Sequence, residues 1–295
     1  MHTYKSNYDY EPPNVIAEIG CNHMGDMRVA KELISMAAIF GKAKVAKFQK
    51  RNPKELLSTE QFNAPHPNQQ HAYGNTYGSH REFLEFSLDQ HRQLMDWCNE
   101  FSILYSTSVW DLSSAKEIGK LDPPLVKIGS ASNTHTEMLK FICDEYSGEI
   151  HVSLGMTSRN EEESLIKLFE SKHRAADVVL YSCTSGYPVP FQDICLLEIT
   201  RLKEIYGDTV KAIGFSGHHL GIAVDIAAFT LGAQWIERHF TLDRTAKGTD
   251  HAASLEPDGL RRLVRDLNAV HQSLSHKSEE ILPIEAIQRE KLKYR

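Results

Sequence analysis

The sequence predicts an α/β protein closed into a (β/α)8 TIM barrel. Three observations carry the prediction. Eight short apolar runs, each followed by a stretch of helical length, alternate through about 260 residues, the number of units and the length that close such a barrel. Strands that alternate with helices pair in parallel. The alternative, an open doubly wound sheet, places a glycine-rich phosphate loop after its first strand, and no G-x-G-x-x-G occurs here.

The first strand is read over 14–20 (NVIAEIG), a β-branched run, followed by helical spacing over 27–40 that ends at Gly41. The second strand is 44–50. One long amphipathic helix is expected over 81–100, with Leu84, Phe86 and Leu94 on its apolar side. Strands follow at 102–106, 125–128, 150–153 and 178–183, with helices at 112–119, 136–145, 161–172 and 193–206. The last two strands, 212–216 and 234–239, enclose an apolar helix at 221–231, and a helix at 257–273 completes the series. Residues 52–79 interrupt the rhythm. They are rich in Pro, Asn, Gln, Gly and His and too long for an ordinary βα connection, which predicts a wall or lid over the barrel mouth. Residues 1–275 are read as the barrel domain and 276–295 as a charged tail.

Composition narrows the function classes. The 295 residues are 41% hydrophobic and 24% charged, as in an ordinary globular protein. With 33 basic against 39 acidic residues the net charge is −6, so neither nucleic acid nor an anionic membrane is the expected partner. No run of roughly 18 apolar residues suggests a membrane span, and the polar N-terminus gives no secretory signal. Five scattered cysteines without C-x-x-C spacing argue against a disulfide framework and for a reducing cytoplasm.

Barrel enzymes place their chemistry at the C-terminal ends of the strands. The polar residues there are Glu18, Asn22 and His23, then Lys47 and Gln49, Ser106 and Thr107, Lys127 and Ser130 with Ser132 beyond, Ser153, Ser182 to Ser185 with Tyr187, Ser216 with His218 and His219, and Glu237 to His239 with Asp250 beyond. A lone Ser or Thr after a strand is most often a helix cap. A lone lysine in an apolar strand is another matter, because a buried ammonium is costly unless paired. Lys47 and Lys127 both stand so, with hydroxyls nearby, which points to a phosphorylated or carboxylated ligand at the barrel mouth. His218 and His239 end adjacent strands, where two imidazoles can share one divalent metal. Cys21 reads either as a third ligand or as a small buried cysteine.

These segments together resemble the sialic acid (N-acetylneuraminate) synthase family. Ala17-Glu18-Ile19-Gly20-Cys21-Asn22-His23-Met24-Gly25 is similar to its A-E-I-G-x-N-H-x-G opening, and Ala46-Lys47-Phe48-Gln49 to its V-K-F-Q strand. Tyr105 to Ser108, Val126 to Ser130, Val152 to Met156, Cys183-Thr184 with Tyr187-Pro188, Gly214 to His218 and Ile236 to Thr241 continue the likeness in order, over about residues 14 to 272. The resemblance implies condensation of phosphoenolpyruvate with an open-chain aldose to a 2-keto-3-deoxy-nonulosonate and phosphate. It implies a divalent metal (Mn2+, Mg2+ or Co2+) on His218 and His239, and Glu18 near the reacting atoms as a catalytic residue. It implies phosphoenolpyruvate on Lys47, Thr107, Lys127, Ser130, Ser153, Ser185 and Ser216, and the sugar near Gln49, Asn75, Tyr187 and Asp250. Homo-oligomerisation is left open.

The chain also departs from the pattern. Ser132 stands where members carry Glu, Leu154 where they often carry Thr, and Ser185 where Asn is common. Typical members continue into a small antifreeze-like domain that supplies an arginine to the partner subunit's N-acyl group, and this sequence ends at Arg295, about where that domain would start. The expectation is therefore relaxed or altered acceptor choice, with the 52–79 segment (His66, Asn68, Gln69, His71, Asn75) lining the sugar site. Two other readings stand beside the synthase: a Schiff-base aldolase using Lys47 or Lys127, and a non-catalytic sugar- or phosphate-binding barrel.

Overall fold

The computed structural model describes residues 10–294, so residues 1–9, on which the absence of a secretory signal was read, lie outside the described residues. Eight strands, β1 (Asn14–Gly20), β2 (Val45–Lys50), β3 (Leu104–Val109), β4 (Leu125–Ile128), β5 (Glu149–Ser153), β6 (Val178–Cys183), β7 (Ala212–Gly217) and β8 (Trp235–His239), each pair in parallel with the next, and β8 closes on β1. The predicted barrel is the observed one.

Side chains alternate along a strand with period two. One parity faces the surrounding helices: Ala17, Ala46, Phe48, Val126, Val152, Leu180, Phe215 and Ile236 belong to that outer core. The other parity fills the barrel. Ile16, Val45, Leu125, Val179, Tyr181, Ala212 and Trp235 form an apolar plug inside it. Two residues further along the same inward-facing rows come Glu18, Lys47, Lys127 and Glu237, and four beyond Ala212 comes Ser216, a polar layer above an apolar floor. Closure brings these rows together although they lie far apart in sequence.

Three expectations shift. The helix read over 27–40 is α-helical only over Met27–Ser35 and then widens into a π-helical turn, Met36–Phe40. The single helix read over 81–100 is two, Tyr77–Phe83 and Leu88–Glu100. Ser87 and Gln90 form a reciprocal capping box that restarts the second, and this S-x-x-Q signature outweighs the continuous apolar spacing. The third strand begins at Leu104, because Ser102 takes a left-handed turn conformation (φ 57°), and it runs on to Val109. The 52–79 segment folds into short helices, Pro53–Leu56, Thr59–Asn63 and the start of Tyr77–Phe83. After the helix Pro257–Ser273 the chain ends in an exposed helix, Pro283–Leu292. Among the described residues no helix is long and apolar enough to cross a membrane.

Candidate active site

Four charges meet inside the barrel mouth. Lys47 Nζ lies 2.5 Å from Glu18 Oε2, 3.7 Å from Glu237 Oε2 and 2.9 Å from Ser108 Oγ. Lys127 Nζ donates to the same Glu237 oxygen at 2.8 Å and lies 3.9 Å from the centre of the Tyr181 ring. The other oxygen of Glu237 accepts from Ser216 Oγ at 3.0 Å, and Glu18 Oε1 accepts from Gln49 Nε2 at 3.0 Å. All four charged groups are buried, and each ammonium has a carboxylate partner, as burial demands. Burial opposes the Lys47 ammonium, yet Glu18 and Glu237 raise its pKa above the ordinary value. Burial wins at Lys127, whose pKa is lowered despite Glu237. At Glu237 the two lysines outweigh burial and hold the carboxyl well below the usual range.

Above this layer a cavity of about 330 Å3 is lined by Glu18, Lys47, Gln49, Lys127, Ser130, Ser153, Ser185, Tyr187, Ser216, His218 and His239 among others. The serines converge because Gly155 has no side chain: a Cβ there would strike the hydroxyls of Ser185 and Ser130. Ammoniums with a ring of hydroxyls form a receptor for a small, multiply charged anion.

The imidazoles of His218 and His239 face each other across the mouth, ring centres 5.4 Å apart, with Tyr187 tilted against His218 at 4.3 Å. His218 Nδ1 pairs with the Thr184 carbonyl oxygen at 3.0 Å; a carbonyl only accepts, so the proton is on Nδ1 and the lone pair on Nε2. Burial, and then the neighbouring His239, push the pKa of His218 down to about 3, so the ring is neutral. His239 Nδ1 is buried without a hydrogen-bond partner, 4.0 Å from Asp250 Oδ2. Two imidazoles on adjacent strand ends suit a divalent cation. Among the described residues, however, no group of three or more His, Cys, Asp and Glu side chains is close enough to hold one unaided. Cys21 is no ligand: Arg51 Nη2 donates to its sulfur at 2.8 Å, and burial pushes its thiol up to about 11.

A second cavity of about 540 Å3 adjoins the first. Gln49, Trp110, Tyr187 and His239 line both, and Asp250, Asn68, His71, Tyr73, Arg81 and Lys247 line the outer one alone. The 52–79 segment thus does wall the mouth, through Asn68 and His71. His66 is instead buried against His80, ring centres 4.3 Å apart, and Gln69 and Asn75 are exposed.

Two sequence assignments need correction. Thr107 lies on the helix-facing side of β3 between Tyr105 and Val109, and lines neither cavity. The strand runs three residues beyond the expected end, so the inward hydroxyls are Ser106 and Ser108, and it is Ser108 that contacts Lys47. Asn75 lines neither cavity. Ser132 points away, its hydroxyl on the Trp110 carbonyl at 2.8 Å. The main residue left unassigned is Glu237. It stands two before His239 in β8, so the period-two rule alone puts it on the same inward face.

Fold and site define a class: a parallel barrel whose strand ends gather two buried lysines and a ring of hydroxyls beneath a pair of imidazoles. Within that class the chain belongs to the NeuB family, whose model matches residues 33–279. It is 36% identical over 281 residues to the human N-acetylneuraminate-9-phosphate synthase, covering 95% of this chain and 76% of that protein. It is 34% identical over 261 residues to the N,N'-diacetyllegionaminic acid synthase of Campylobacter jejuni, covering 88% and 77%. The solved N-acetylneuraminic acid synthetase of Leptospira borgpetersenii, in complex with citrate, superposes with a TM-score of 0.80 at 27% identity over 98% of this chain and 96% of that one. A truncated 3-deoxy-D-arabino-heptulosonate 7-phosphate synthase from Thermotoga maritima, at TM-score 0.65 and 13% identity, shares the fold.

Proposed function

We propose that the chain condenses phosphoenolpyruvate with the aldehyde of an open-chain aldose, giving a 2-keto-3-deoxy-nonulosonate and inorganic phosphate. The observation that carries the reading is the stacking of two layers in one mouth: paired buried lysines with converging serine hydroxyls below, two imidazoles and Tyr187 above. Family membership supports it.

In this reading phosphoenolpyruvate takes the inner cavity. Lys47 and Lys127 neutralise its carboxylate and phosphate, and Ser130, Ser153, Ser185 and Ser216 donate to the remaining oxygens. Glu237 fixes both ammoniums before the ligand arrives, so little reorganisation is left. The aldose occupies the outer cavity, its aldehyde toward His218 and His239 at the shared wall, which brings carbonyl carbon and enol carbon into contact. His218 and His239 would hold a divalent cation (Mn2+, Mg2+ or Co2+), which when bound supplies Lewis-acid polarisation of the aldehyde oxygen. Carbon–carbon bond formation leaves positive character on the enolic carbon. Glu18, held by Lys47 and Gln49 at the wall of the same cavity, orients the water that adds there and accepts its proton. The proton taken by Glu18 passes to the alkoxide left on the former aldehyde carbon, and the hemiketal collapses to the ketone, its hydroxyl proton leaving with the phosphate, whose charge the two lysines offset as the bond breaks. A cytoplasmic location is part of the reading, and five free cysteines accord with a reducing compartment.

The test is phosphate release from phosphoenolpyruvate against a panel of aldoses, with the 2-keto acid product identified by mass. Release that depends on an aldose and on added divalent metal is expected. The lowered pKa of Lys127 favours one rival, a Schiff-base aldolase. Borohydride reduction in the presence of pyruvate would leave a stable adduct on a lysine if that rival were right, and none is expected.

A further inference from the structure

The ladder between β7 and β8 ends at the pair Gly217 and Arg238. His218 and His239 each stand one residue beyond it, so main-chain pairing of these two strands does not set the distance between the imidazoles. His239 is held from its other side, where it pairs with Glu18 of β1, and its carbonyl oxygen accepts from Leu255 N–H at 2.7 Å. His218 has no ladder partner among the described residues. What ties its loop to β8 is a side chain.

Arg238 stands between Glu237 and His239, so it faces the opposite, helix-covered side of β8, where it is buried. Its Nη2 donates to the His219 carbonyl oxygen at 2.6 Å. Its Nη1 donates to the Gly221 carbonyl oxygen at 2.8 Å and to Asp225 Oδ2 at 2.5 Å. One guanidinium thus holds two carbonyls of the 217–221 loop and the first turn of the helix Ala223–Thr230. Asp225 is wholly buried and supplies the charge that lets the guanidinium stay there. The loop folds back this tightly because residue 217 is glycine: a Cβ there would lie 2.8 Å from His219 Cε1 and 2.8 Å from Phe215 Cε1. Val189 N–H donates to the His218 carbonyl oxygen at 3.0 Å. Consecutive carbonyls, those of His218 and His219, are therefore fixed by two different elements, the loop after β6 and β8 itself.

We propose that Arg238, with Asp225, is a positioning residue for the two imidazoles: it holds the loop that carries His218 at the separation from His239 at which both rings reach one divalent cation. The inference deepens the condensation reading and rests on its assignment of the cation to these histidines. Neither Arg238 nor Asp225 lines either cavity, so neither meets a substrate. Their leverage is geometric. Imidazole nitrogens bind a cation such as zinc at about 2.0–2.1 Å, a range with little tolerance. The ring centres are 5.4 Å apart, and among the described residues no third His, Cys, Asp or Glu side chain completes the group. A shift of the His218 loop is therefore not made good by another ligand. The planar fork of an arginine reaches carbonyl and carboxylate partners at once, which a lysine ammonium in its place does not.

The test is Mn2+ binding to the intact, metal-free protein, read from the paramagnetic resonance signal of the free ion, so that no turnover is needed. R238K keeps a charge beside Asp225 and loses the fork. R238M/D225L removes both charges, so neither variant leaves a buried ion alone. Each is expected to bind Mn2+ about ten- to a hundredfold more weakly, the usual loss when a group that orients a metal ligand is removed. Phosphoenolpyruvate binding to the same metal-free samples, measured by calorimetry, should be unchanged, because Lys47 and Lys127 keep their partners. Unchanged Mn2+ affinity in both variants overturns the proposal. So does a parallel loss of phosphoenolpyruvate binding, which would mean a general loosening of the barrel. H239A separates the proposal from the reading beneath. A parent protein that binds no Mn2+, or whose binding survives H239A, refutes the assignment of the cation and the proposal with it. Binding lost in H239A and intact in both Arg238 variants refutes the proposal alone.

Discussion

Lys47 and Lys127 are each 2% exposed, and neither would stay charged there without a fixed anion beside it. Glu237 serves both, which makes Lys127 a clean probe of the inner cavity. Lys127→Met keeps the stem and removes the charge. Truncating one partner of a buried charge pair costs about 2–5 kcal/mol, a loss of roughly thirtyfold to several thousandfold in kcat/KM for phosphoenolpyruvate. Initial rates over a range of phosphoenolpyruvate concentrations measure it, and a variant with unchanged kcat/KM would show that Lys127 does not meet the substrate. The lysines and histidines were legible because a polar residue ending an apolar run is an anomaly that needs an explanation. Glu237 stood in the same run, but its partners were not legible: Lys127 is 110 residues away, and only closure of the barrel carries β8 toward β4. Arg81 was illegible for another reason. It opened the stretch read as one amphipathic helix over 81–100, whereas the hydroxyl that holds it, on Tyr77 one turn before, and the cavity it lines are products of the fold.

At the scale of elements, strand ends were legible to within a few residues, and the site was sensitive to those few. Three extra residues on β3 move the inward hydroxyl from the neighbourhood of Thr107 to Ser108, because a strand alternates faces at every residue. The end of β1 is fixed by Gly20, which takes φ 55°, a left-handed conformation that costs other residues about 1–2 kcal/mol. A Cβ at Gly20 would lie 3.0 Å from Gln49 Nε2 and 3.1 Å from Glu18 Oε1, against the hydrogen bond that orients the carboxylate. Gly20→Ala should therefore lower stability by about 1–2 kcal/mol, seen as an earlier denaturation midpoint. It should also reduce kcat more than it raises the KM for phosphoenolpyruvate, since Glu18 is displaced while the lysines keep their partners. An alanine variant that is less stable but has full kcat would separate Gly20 from the chemistry and leave it a turn residue only.

The whole molecule inherits a pH dependence from closure, because the barrel and its shell of helices bury imidazoles that line neither cavity. His23, His91 and His151 are almost wholly enclosed. Burial, seconded by nearby Arg51 for His23 and Lys50 for His91, lowers the first two to about 3; burial lowers His151 to about 4 although Glu149 pulls the other way. In the unfolded chain each returns toward the ordinary value of 6.5. Between pH 6.5 and about 4 the unfolded state therefore binds protons that the folded state refuses, and stability falls as pH falls. The slope is up to about 1.4 kcal/mol per pH unit for each histidine once the pH is well inside that window. The carboxylate of Glu237, held low by its lysines, adds to the loss in the same direction at lower pH still. Urea denaturation at pH 7.0, 6.0 and 5.0 should give midpoints that step downward, with the steeper step between 6.0 and 5.0. His151→Phe, which removes one buried imidazole and with it the hydrogen bond to Tyr181 Oη at 2.8 Å, should lower the midpoint at pH 7.0 and flatten that step. A midpoint that holds steady or rises down to pH 5.0 would mean that these rings gain protons in the folded barrel, and that the interior is more open to water than its packing implies.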